Sequence, residues 1–505
     1  MCKSGSSKIK QSAIVVMVVI LISKLMGLLR DVVLAKYYGT SNISDAYLIT
    51  ASVPTLLFYF IGHSLSTAFL PIYNKVKAEK DEKQALKYTN NLLCCSLLLC
   101  FILVAILLIF PQAVVKVFAA GFDKETTDIA ARMIRICSPS LFFFAIINVW
   151  SGYLHSKNNF VLPAMISLPR NLAVIASIVY SASFGIDGLA IGLIIAYFLE
   201  FIFLLPSVFK SGYRPKLYVN VKDEEMKDTL AMVVPILIGV AVSQINKIID
   251  KSIASTLMVG GISALSYASI IETAIQEVLV TSIITILFAK CSELVAQQKH
   301  DEVKNKLSHT INVLQALLIP ACVGIFILAE PIVSIILMRG NFDKNSLSIT
   351  VGALKFYTIG LVFIAIRDVL VKVFYAYKQT KITTVISIGS ILLNILLNII
   401  LSRFLGINGL ALATSISMIF NAIVLYVVLS KKLGNFGTNK MLINILKVVV
   451  CTTAMGILVS FSYNVWFNYL ADVIKLIISV LIGATSYFIL AIILRVFKLK
   501  KKVKE

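Results

Sequence analysis

The chain has 505 residues, of which 59% are hydrophobic and only 14% are charged, and its mean hydropathy is +0.92. A soluble protein carries about 25% charged residues, so this composition excludes a cytosolic enzyme, a disordered protein and a peripheral membrane protein. The formal net charge of +22 would suggest a nucleic-acid partner in a soluble protein, and its meaning here depends on where the charges lie.

Apolar segments long enough to cross a bilayer recur along the whole chain, and we predict about fourteen spans of about 20 residues each. Their centres lie near Ile22, Leu56, Leu99, Phe142, Ala173, Ala196, Gly239, Glu277, Leu318, Gly360, Leu392, Ile419, Thr453 and Ala484. The sequence therefore predicts an all-α polytopic membrane protein.

The loops between these spans alternate in charge. One set holds about 29 Lys and Arg residues, against about 6 in the other set, and basic loops face the cytoplasm. Both termini are therefore expected in the cytoplasm, as an even number of spans requires. The positive charge reads as an orientation signal, and no nucleic-acid partner is expected.

Motifs of catalysis and metal binding are missing from the sequence. It contains no Walker A, HExxH or GxSxG pattern, and its eight cysteines show no CxxC or metal-ligand spacing. We therefore expect neither an enzyme nor a protein with a resident cofactor.

An internal repeat with an offset of about 220 residues organises the chain. Gly185–Ala190 returns as Gly406–Ala411, and Asp123 returns as Asp343. Each copy holds six spans, so the copies run in the same direction, as in the parallel halves of several secondary transporters. We predict an N-terminal six-helix lobe at 1–220, its repeat at 221–440, and two extra helices with a basic tail at 441–505. Such a repeat favours alternating access to a cleft between the halves, with a channel or a scaffold built by duplication as the alternative.

Charged side chains inside predicted spans are the most informative residues, because each costs roughly 2.5–3.5 kcal/mol to insert and usually lines a cavity. The predicted substrate-binding residues are Lys24, Arg30, Asp31, Asp45, His63, Arg132 and Arg135. Guanidinium groups bind phosphates through paired hydrogen bonds, so the cations indicate an anionic substrate, and the aspartates offset charge or take part in gating. The alternatives are a self-neutralising network that holds helices together and, for His63, a hydrogen-bonded structural histidine. Arg170, Lys355 and Glu200 are assigned to span ends, from which long side chains reach the interface.

A second candidate site lies in the second half. Asn394 and Asn398 are four residues apart and share one helix face. With Asp250 and Thr414 from two other spans, they predict an oxygen-only site suited to sodium, whereas hydrogen bonding between helices is the alternative. Coupling to Na+, to H+ or to the membrane potential remains open.

Three stretches of the chain together match the pattern of one transporter family. They are Ser23–Ala35 with Gly39 and Ser44–Tyr47, then Ser243–Asn246 with Ile249–Lys251, Ala254–Ser255 and Ile262–Ala268, and then Phe374–Ala376 with Thr380–Lys381 and Gly409–Ser415. This pattern resembles the MurJ (MviN) family of lipid II flippases over essentially the whole chain. The resemblance implies the MOP exporter (MATE-like) fold, with two six-helix lobes and two C-terminal helices that contribute a groove for a polyprenyl tail.

The resemblance also implies a function. The chain would move the undecaprenyl-diphosphate-linked peptidoglycan precursor, lipid II, from the inner to the outer leaflet of the bacterial cytoplasmic membrane, with Lys24, Arg30, Asp31 and Asp45 at family cavity positions. Outward movement of about two negative charges is favoured by roughly 4.6 kcal/mol per 100 mV, so the membrane potential could drive export without ATP. The expected partners are the lipid-linked substrate, membrane lipid and the cell-wall synthesis machinery, with a monomer as the working form.

Two departures from the family pattern concern the headgroup. Pro54–Tyr59 stands where the family often has Pro-Asn-Leu-Leu-Arg-Arg, and Tyr267–Ile270 stands where it often has Tyr-Ala-Asp/Asn-Arg, so two cavity arginines are absent. Lys247, Lys251 and Arg367 are candidates to replace them. A different undecaprenyl-linked saccharide, of capsule, O-antigen or teichuronic type, is therefore an alternative substrate. A MATE-type drug or cation antiporter is a further alternative, which would favour a carboxylate-rich cleft.

Overall fold

The computed structural model describes residues 3–434, 438–467 and 470–496, and of residues 3–14, 55, 58–67, 235–243, 282 and 438–440 it describes the backbone alone. The side chains of His63, Phe58 and Tyr59 and the basic tail at 498–504 therefore lie outside the described residues. Every regular element in the described ranges is a helix, which confirms the predicted all-α class.

Two compact units make up the described chain. The first contains the residues up to Ser263 together with Arg339–Phe342, and the second contains Ala264–Met338 and the residues from Asp343 onward. The first unit contains α1 (Lys3–Tyr38), α2 (Asn42–Glu79), α3 (Glu82–Ile109), α4 (Pro111–Phe118), α5 (Lys124–Cys137), α6 (Ser140–Ser156), α7 (Val161–Met165), α8 (Ser167–Phe184), α9 (Asp187–Lys210) and α10 (Glu224–Leu257). From α11 (Gly261–Ala296), which begins in the first unit, the chain continues into the second with α12 (His300–Ile327), α13 (Ala329–Leu337), α14 (Lys344–Ala376), α15 (Thr380–Leu405), α16 (Ile407–Leu433), α17 (Thr438–Phe461) and α18 (Asp472–Ile493).

The bounds of the two compact units differ from the predicted bounds of the two repeats. Helix α10 lies beyond the predicted boundary at residue 220, yet it packs against α2 and belongs to the first unit. The three-part division at residues 220 and 440 therefore stays a prediction about the repeat.

Nine helices in the described ranges are long and apolar enough to cross a membrane, or up to eleven if each of two bent helix pairs is one span. The helices α1, α2 and α10, which are 36, 38 and 34 residues long, are not among them and contain residues of which only the backbone is described. A multi-pass membrane protein follows, while the predicted number of fourteen spans is not confirmed.

The repeat seen in the sequence reappears in the helix boundaries. Asp123 and Asp343 are the N-cap residues of α5 and α14, and each carboxylate accepts a hydrogen bond from the backbone N–H three residues later. Helices α8 and α15 end at the glycine caps Gly185 and Gly406, whose N–H groups bind serine carbonyls four residues earlier. Equivalent residues therefore begin and end equivalent helices in both copies.

The two copies differ where the first contains proline. Helix α5 ends at Cys137, α6 begins at Ser140, and the two axes meet at 50°. Pro139 lies between them and cannot donate the backbone hydrogen bond that a continuous helix needs. The corresponding stretch of the second copy has no proline, and α14 runs unbroken for 33 residues.

An aromatic core and a clamped linker stabilise the first unit. The rings of Phe69, Tyr73, Tyr153 and Tyr213 follow one another with neighbouring centroids 5.2–6.0 Å apart, a spacing at which aromatic pairs attract each other. Tyr213 lies in the linker after α9, and its hydroxyl donates to Asn90 Oδ1 of α3 at 2.7 Å. The linker is thus fixed to the first unit before α10 begins.

The last two helices pack on the second unit. Residues of α12, α17 and α18 form one buried apolar cluster, and the Tyr487 hydroxyl of α18 donates to the Ala316 carbonyl of α12 at 2.6 Å. The end of α17 widens into a π-helical turn at Ser462–Trp466. The two helices added after the repeat are therefore integral to this unit.

Candidate substrate-binding cavity

A cavity of about 450 Å³ opens among six helices of the first unit. Four basic side chains and one carboxylate line it, namely Arg30, Arg170, Lys247, Lys251 and Asp31. The remaining wall includes the rings of Tyr47, Phe144 and Tyr197 and aliphatic groups of α2, α8 and α9. The cavity therefore combines cationic groups with aromatic faces.

Arg30 and Asp31 form a two-point ion pair at the edge of the cavity. Arg30 Nε donates to Asp31 Oδ1 at 3.0 Å and its Nη2 donates to Oδ2 at 3.1 Å. The Asp31 side chain is almost fully buried, whereas that of Arg30 is 33% exposed. Asp31 thus fixes the guanidinium in place, and the Nη1 edge, which these bonds do not use, is available to an anion.

Arg170 belongs to the cavity rather than to a span end. It pairs with the buried Glu200 of α9 at 3.2 Å, and its own side chain remains 33% exposed. The prediction that it is an interfacial residue was wrong. Its ion-pair partner lies on the next helix, and the sequence of α8 alone gives no information about that contact.

The two lysines of α10 complete the basic set. Lys247 and Lys251 are four residues apart and therefore share one helix face, and Lys251 Nζ donates to Ser52 Oγ and, at 3.5 Å, to the Leu48 carbonyl. These partners are uncharged, so they orient the ammonium without neutralising it. Counting Asp31 and Glu200, the basic groups of the site exceed its carboxylates by two.

The other predicted cations lie elsewhere. Lys24 is exposed on α1 and does not line this cavity. On α5, Arg132 pairs with Asp187 at 2.9 Å and Arg135 Nε donates to the Leu108 carbonyl at 3.4 Å, and both residues are exposed. The side chain of His63 is outside the described residues. The structure therefore brings together Arg30 and Asp31 from the predicted substrate-binding set, together with Lys247 and Lys251, two of the candidates to replace the absent family arginines, and it adds Arg170.

Asp45 holds two turns together and does not line the cavity. Its Oδ2 accepts from the Gly260 N–H at 2.8 Å and its Oδ1 accepts from the Ser263 N–H at 2.7 Å. Asp45 lies in the first turn of α2, and its donors lie at the start of α11, so one carboxylate joins the α1–α2 turn to the α10–α11 turn. This position favours the gating role over that of a substrate ligand.

Near these turns, a loop from each repeat contacts the end of a helix from the other repeat, and both contacts lie within the first unit. The loop residue Asn341 donates through its backbone N–H to the Lys36 carbonyl at 2.9 Å, near the end of α1. In the equivalent arrangement, Gly121 donates to Ser255 Oγ at 3.0 Å, near the end of α10. Each loop approaches so closely that a Cβ on Gly121 or on Gly340 would lie 2.2–2.3 Å from backbone atoms. The end of the first helix of each repeat is thus bound by a loop of the other.

The four predicted ion-coupling residues fall in both units. In the first, Asp250 Oδ2 accepts from Asn246 Nδ2 at 3.3 Å. In the second, Asn398 Nδ2 donates to Asn394 Oδ1 at 3.0 Å, and Thr414 Oγ1 donates to the Leu410 carbonyl of its own helix at 3.1 Å. The sodium site stays a prediction. No group of three or more His, Cys, Asp or Glu side chains arranged for a metal ion occurs in the part of the chain that the structure describes.

A larger cavity of about 1020 Å³ lies in the second unit between α13, α14 and α18. Its charged lining is balanced, with Lys344 and Lys355 against Glu330 and Asp472. A balanced lining gives no preference for an anion, so the smaller cavity of the first unit is the better candidate for an anionic substrate.

Comparison with known proteins identifies the family. The family model described as "Lipid II flippase MurJ" matches residues 34–481. A probable lipid II flippase MurJ of Rickettsia prowazekii is 27% identical, covering 98% of this chain and 99% of its own length. A lipid II flippase MurJ of Burkholderia cenocepacia is 28% identical over 82% of each chain.

Solved structures agree with this assignment. A lipid II flippase MurJ in an inward closed conformation matches with a TM-score of 0.82 and 28% identity, covering 95% of this chain and 99% of that one. An inward-facing multidrug resistance MATE family transporter of the MOP superfamily matches with a TM-score of 0.68 at 16% identity, covering 84% of this chain and 99% of that one, which shows a shared fold. The predicted MOP, MATE-like fold is confirmed, and the chain belongs to the MurJ family of lipid II flippases.

Proposed function

We propose that this protein moves lipid II, the undecaprenyl-diphosphate-linked peptidoglycan precursor, from the inner to the outer leaflet of a bacterial cytoplasmic membrane by alternating access. The observation that carries the proposal is the cavity of the first unit, where basic groups exceed carboxylates by two. A diphosphate headgroup carries about two negative charges, and Arg and Lys side chains in a partly dehydrated site bind phosphate oxygens strongly. The chain is thus a transporter that translocates its ligand rather than an enzyme that transforms it.

The shape of the cavity supports the same substrate. Arg30, held by Asp31, presents a fixed guanidinium edge, while Lys251 is oriented by Ser52. The rings of Tyr47 and Tyr197 add faces against which sugar rings pack. The diphosphate of such a headgroup would contact the basic side chains, and its saccharide would pack against the aromatic rings.

The energy source and the orientation are part of the proposal. Export of about two negative charges down an interior-negative potential releases roughly 4.6 kcal/mol per 100 mV, which is enough for net transport without ATP. The alternation of loop charges supports cytoplasmic termini. We further propose that the monomer is the working form, that it supplies the cell-wall synthesis machinery, and that Asp250, Asn394, Asn398 and Thr414 are the place to look for a coupled sodium ion.

The cationic cavity is tested by complementation of a flippase-depleted strain. We expect Arg30→Ala to abolish complementation, because the fixed guanidinium is lost, while the protein still reaches the membrane in normal amounts. Arg135→Ala is the matched control, since Arg135 is an exposed arginine outside the cavity. Full complementation by Arg30→Ala would overturn the assignment of this cavity.

The identity of the saccharide needs a separate measurement, because the side chains at Phe58 and Tyr59 lie outside the described residues and two family arginines are absent. We expect depletion of the protein to accumulate lipid II at the inner leaflet, measured by mass spectrometry of extracted lipids and by its accessibility from each side. Accumulation of a capsule, O-antigen or teichuronic intermediate instead would assign the same mechanism to another undecaprenyl-linked saccharide.

A further inference from the structure

Glu272 of α11 is a buried carboxylate that the proposed substrate site does not use. The residue is only 8% exposed. Its Oε1 is buried, and no hydrogen-bond donor reaches this atom from the described part of the chain. Its Oε2 has one long contact, 3.5 Å, with the Thr273 hydroxyl. The carboxylate therefore loses its hydration, and only one long hydrogen bond replaces it.

The three other buried carboxylates in the described residues are each compensated. Asp31 has Arg30, Glu200 has Arg170, and Asp45 accepts two backbone N–H groups. An uncompensated carboxylate in an apolar interior costs several kcal/mol. Glu272 differs from all three, and it needs another way to avoid that cost.

Arg367, which precedes Asp368 on α14, is already engaged by that aspartate. Arg367 of α14 donates to Asp368 Oδ1 through Nε at 3.0 Å and through Nη2 at 2.6 Å, and Gln276 Nε2 donates to Asp368 Oδ2 at 3.2 Å. Asp368 is close enough to Glu272 to repel its negative charge. The guanidinium of Arg367 is thus bound to Asp368, and within the described residues no ion pair joins it to Glu272.

No salt bridge to Glu272 occurs in the part of the chain that the structure describes. The titratable groups that interact with it are Cys322 of α12 and Asp368 of α14, and the ion-pair partner of Asp368 is Arg367. The same three helices, α11, α12 and α14, contribute to one buried apolar cluster, which includes Val280, Leu318 and Ile366. Binding of a proton is the least costly way to neutralise a carboxylate in such a place.

We propose that Glu272 is a proton-binding site, which holds a proton while α11, α12 and α14 are packed and releases it when this packing opens to water. We assign proton exchange with water to Asp368, which neighbours Glu272 and whose side chain is 27% exposed. Proton binding is independent of the substrate, whereas its coupling to transport rests on the proposed function.

Infrared difference spectroscopy on the purified full chain in lipid nanodiscs tests the binding of the proton. We expect a C=O stretching band of a protonated carboxyl at neutral pH, which Glu272→Gln removes. Glu330→Gln is the matched control, because Glu330 is an exposed glutamate of the same unit, and it should leave the band in place. If Glu272→Gln does not fold, Asp368→Asn should shift the same band, because it removes the neighbouring negative charge.

Two results would overturn the proposal. One is a neutral-pH spectrum without any protonated carboxyl band sensitive to these variants. The other is a band that disappears when sodium chloride replaces potassium chloride, which would assign the site to a sodium ion.

Coupling is measured separately in liposomes that contain labelled lipid II. We expect the wild-type flipping rate to change with an imposed pH gradient and the rate of Glu272→Gln to lose that response. A wild-type protein that flips lipid II at a rate independent of the gradient would contradict the coupling. If the wild type does not flip lipid II at all, the proposed function fails while the infrared result still decides the proton site.

Discussion

The carboxylate of Asp45 accepts a hydrogen bond at 2.7 Å from the backbone N–H of Ser263, 218 residues further along the chain. Its second oxygen binds the Gly260 N–H, so both oxygens are used on the α10–α11 turn. Hydrogen bonds to a charged acceptor contribute about 1.5–3 kcal/mol each. This residue therefore holds together two turns that local sequence would leave independent.

We expect Asp45→Ala to destabilise the pairing of these turns, and Asp45→Asn to have about half the effect, because an amide oxygen can replace one of the two acceptors. Thermal unfolding of the purified proteins measures the loss of stability. The pairing of the turns is measured by the rate of disulfide formation between cysteines placed at Thr40 and Val259 in the wild type, in Asp45→Ala and in Asp45→Asn. Equal rates in all three proteins would show that Asp45 does not control the pairing.

A substitution at Gly39 tests how closely the loop that contains Asn341 approaches the end of α1. The φ of Gly39 is +54°, and a Cβ added there would lie 2.3 Å from the Asn341 carbonyl oxygen. We expect Gly39→Ala to cost more than about 1 kcal/mol, since both the backbone conformation and the space oppose a side chain. Gly27→Ala is the control, because nothing lies within 4 Å of its added Cβ. Similar unfolding temperatures for both variants would contradict the packing described here.

The lysines of α10 distinguish the cavity from the wider set of predicted cations. We expect Lys251→Met to slow lipid II flipping about tenfold or more, because one charge-assisted contact contributes about 1.5–3 kcal/mol and 1.4 kcal/mol is a factor of ten. Arg132→Gln should leave the rate near that of the wild type, since Arg132 pairs with Asp187 outside the cavity. The reverse order of effects, measured in liposomes, would move the binding site to α5.

The linker clamp can be measured as a coupling energy. Asn90 Oδ1 accepts from the Tyr213 hydroxyl at 2.7 Å and from the Lys216 N–H at 3.0 Å, and both Asn90 and Tyr213 are buried. We expect Asn90→Ala to destabilise the protein by about 1–3 kcal/mol, because the buried Tyr213 hydroxyl and the Lys216 N–H both lose their acceptor. A double-mutant cycle with Tyr213→Phe should give a non-additive effect. Strict additivity would mean that the two side chains do not interact.

The helix caps predict a pH dependence. Hydrogen bonds from Thr126 lower the pKa of Asp123, and those from Ser346 lower the pKa of Asp343. A carboxyl whose folded pKa lies below its unfolded value near 4 stabilises the fold above about pH 4 and loses this contribution as the pH falls through the folded pKa. Asparagine also caps helices but does not titrate. The unfolding temperature of the Asp123→Asn/Asp343→Asn variant should therefore fall less steeply below about pH 4 than that of the wild type, and parallel curves would contradict the role of these carboxylates.

Sequence patterns predicted the parts of the structure that depend on local physics. Long apolar stretches predicted helices, and the offset between Asp123 and Asp343 predicted a repeat, whose two copies begin a helix at these residues in the structure. Arg30 and Asp31 were both predicted at the substrate site because charged residues inside a span usually line a cavity, and the aspartates were expected to offset charge or take part in gating.

The rest of the site depends on the packing of helices against one another, and the sequence of a single span does not show which helix it will contact. Arg170 was assigned to an interface because its partner Glu200 lies on another helix. Arg132 and Arg135 were assigned to the substrate because a charge count does not show that they lie on the exposed face of α5. Lys247 and Lys251 were named as candidates to replace the absent family arginines, and the structure places both in the cavity, four residues apart on one face of α10.

The proline at position 139 makes the two copies mechanically unlike. In the first, the helix is interrupted between α5 and α6, and the axes of the two parts meet at 50°. In the second, α14 has no interruption over 33 residues and acts as a single rod, so a displacement at one end is transmitted to the other. The equivalent span is therefore broken at Pro139 in one copy and continuous in the other, so the two copies do not pass a displacement along the span in the same way.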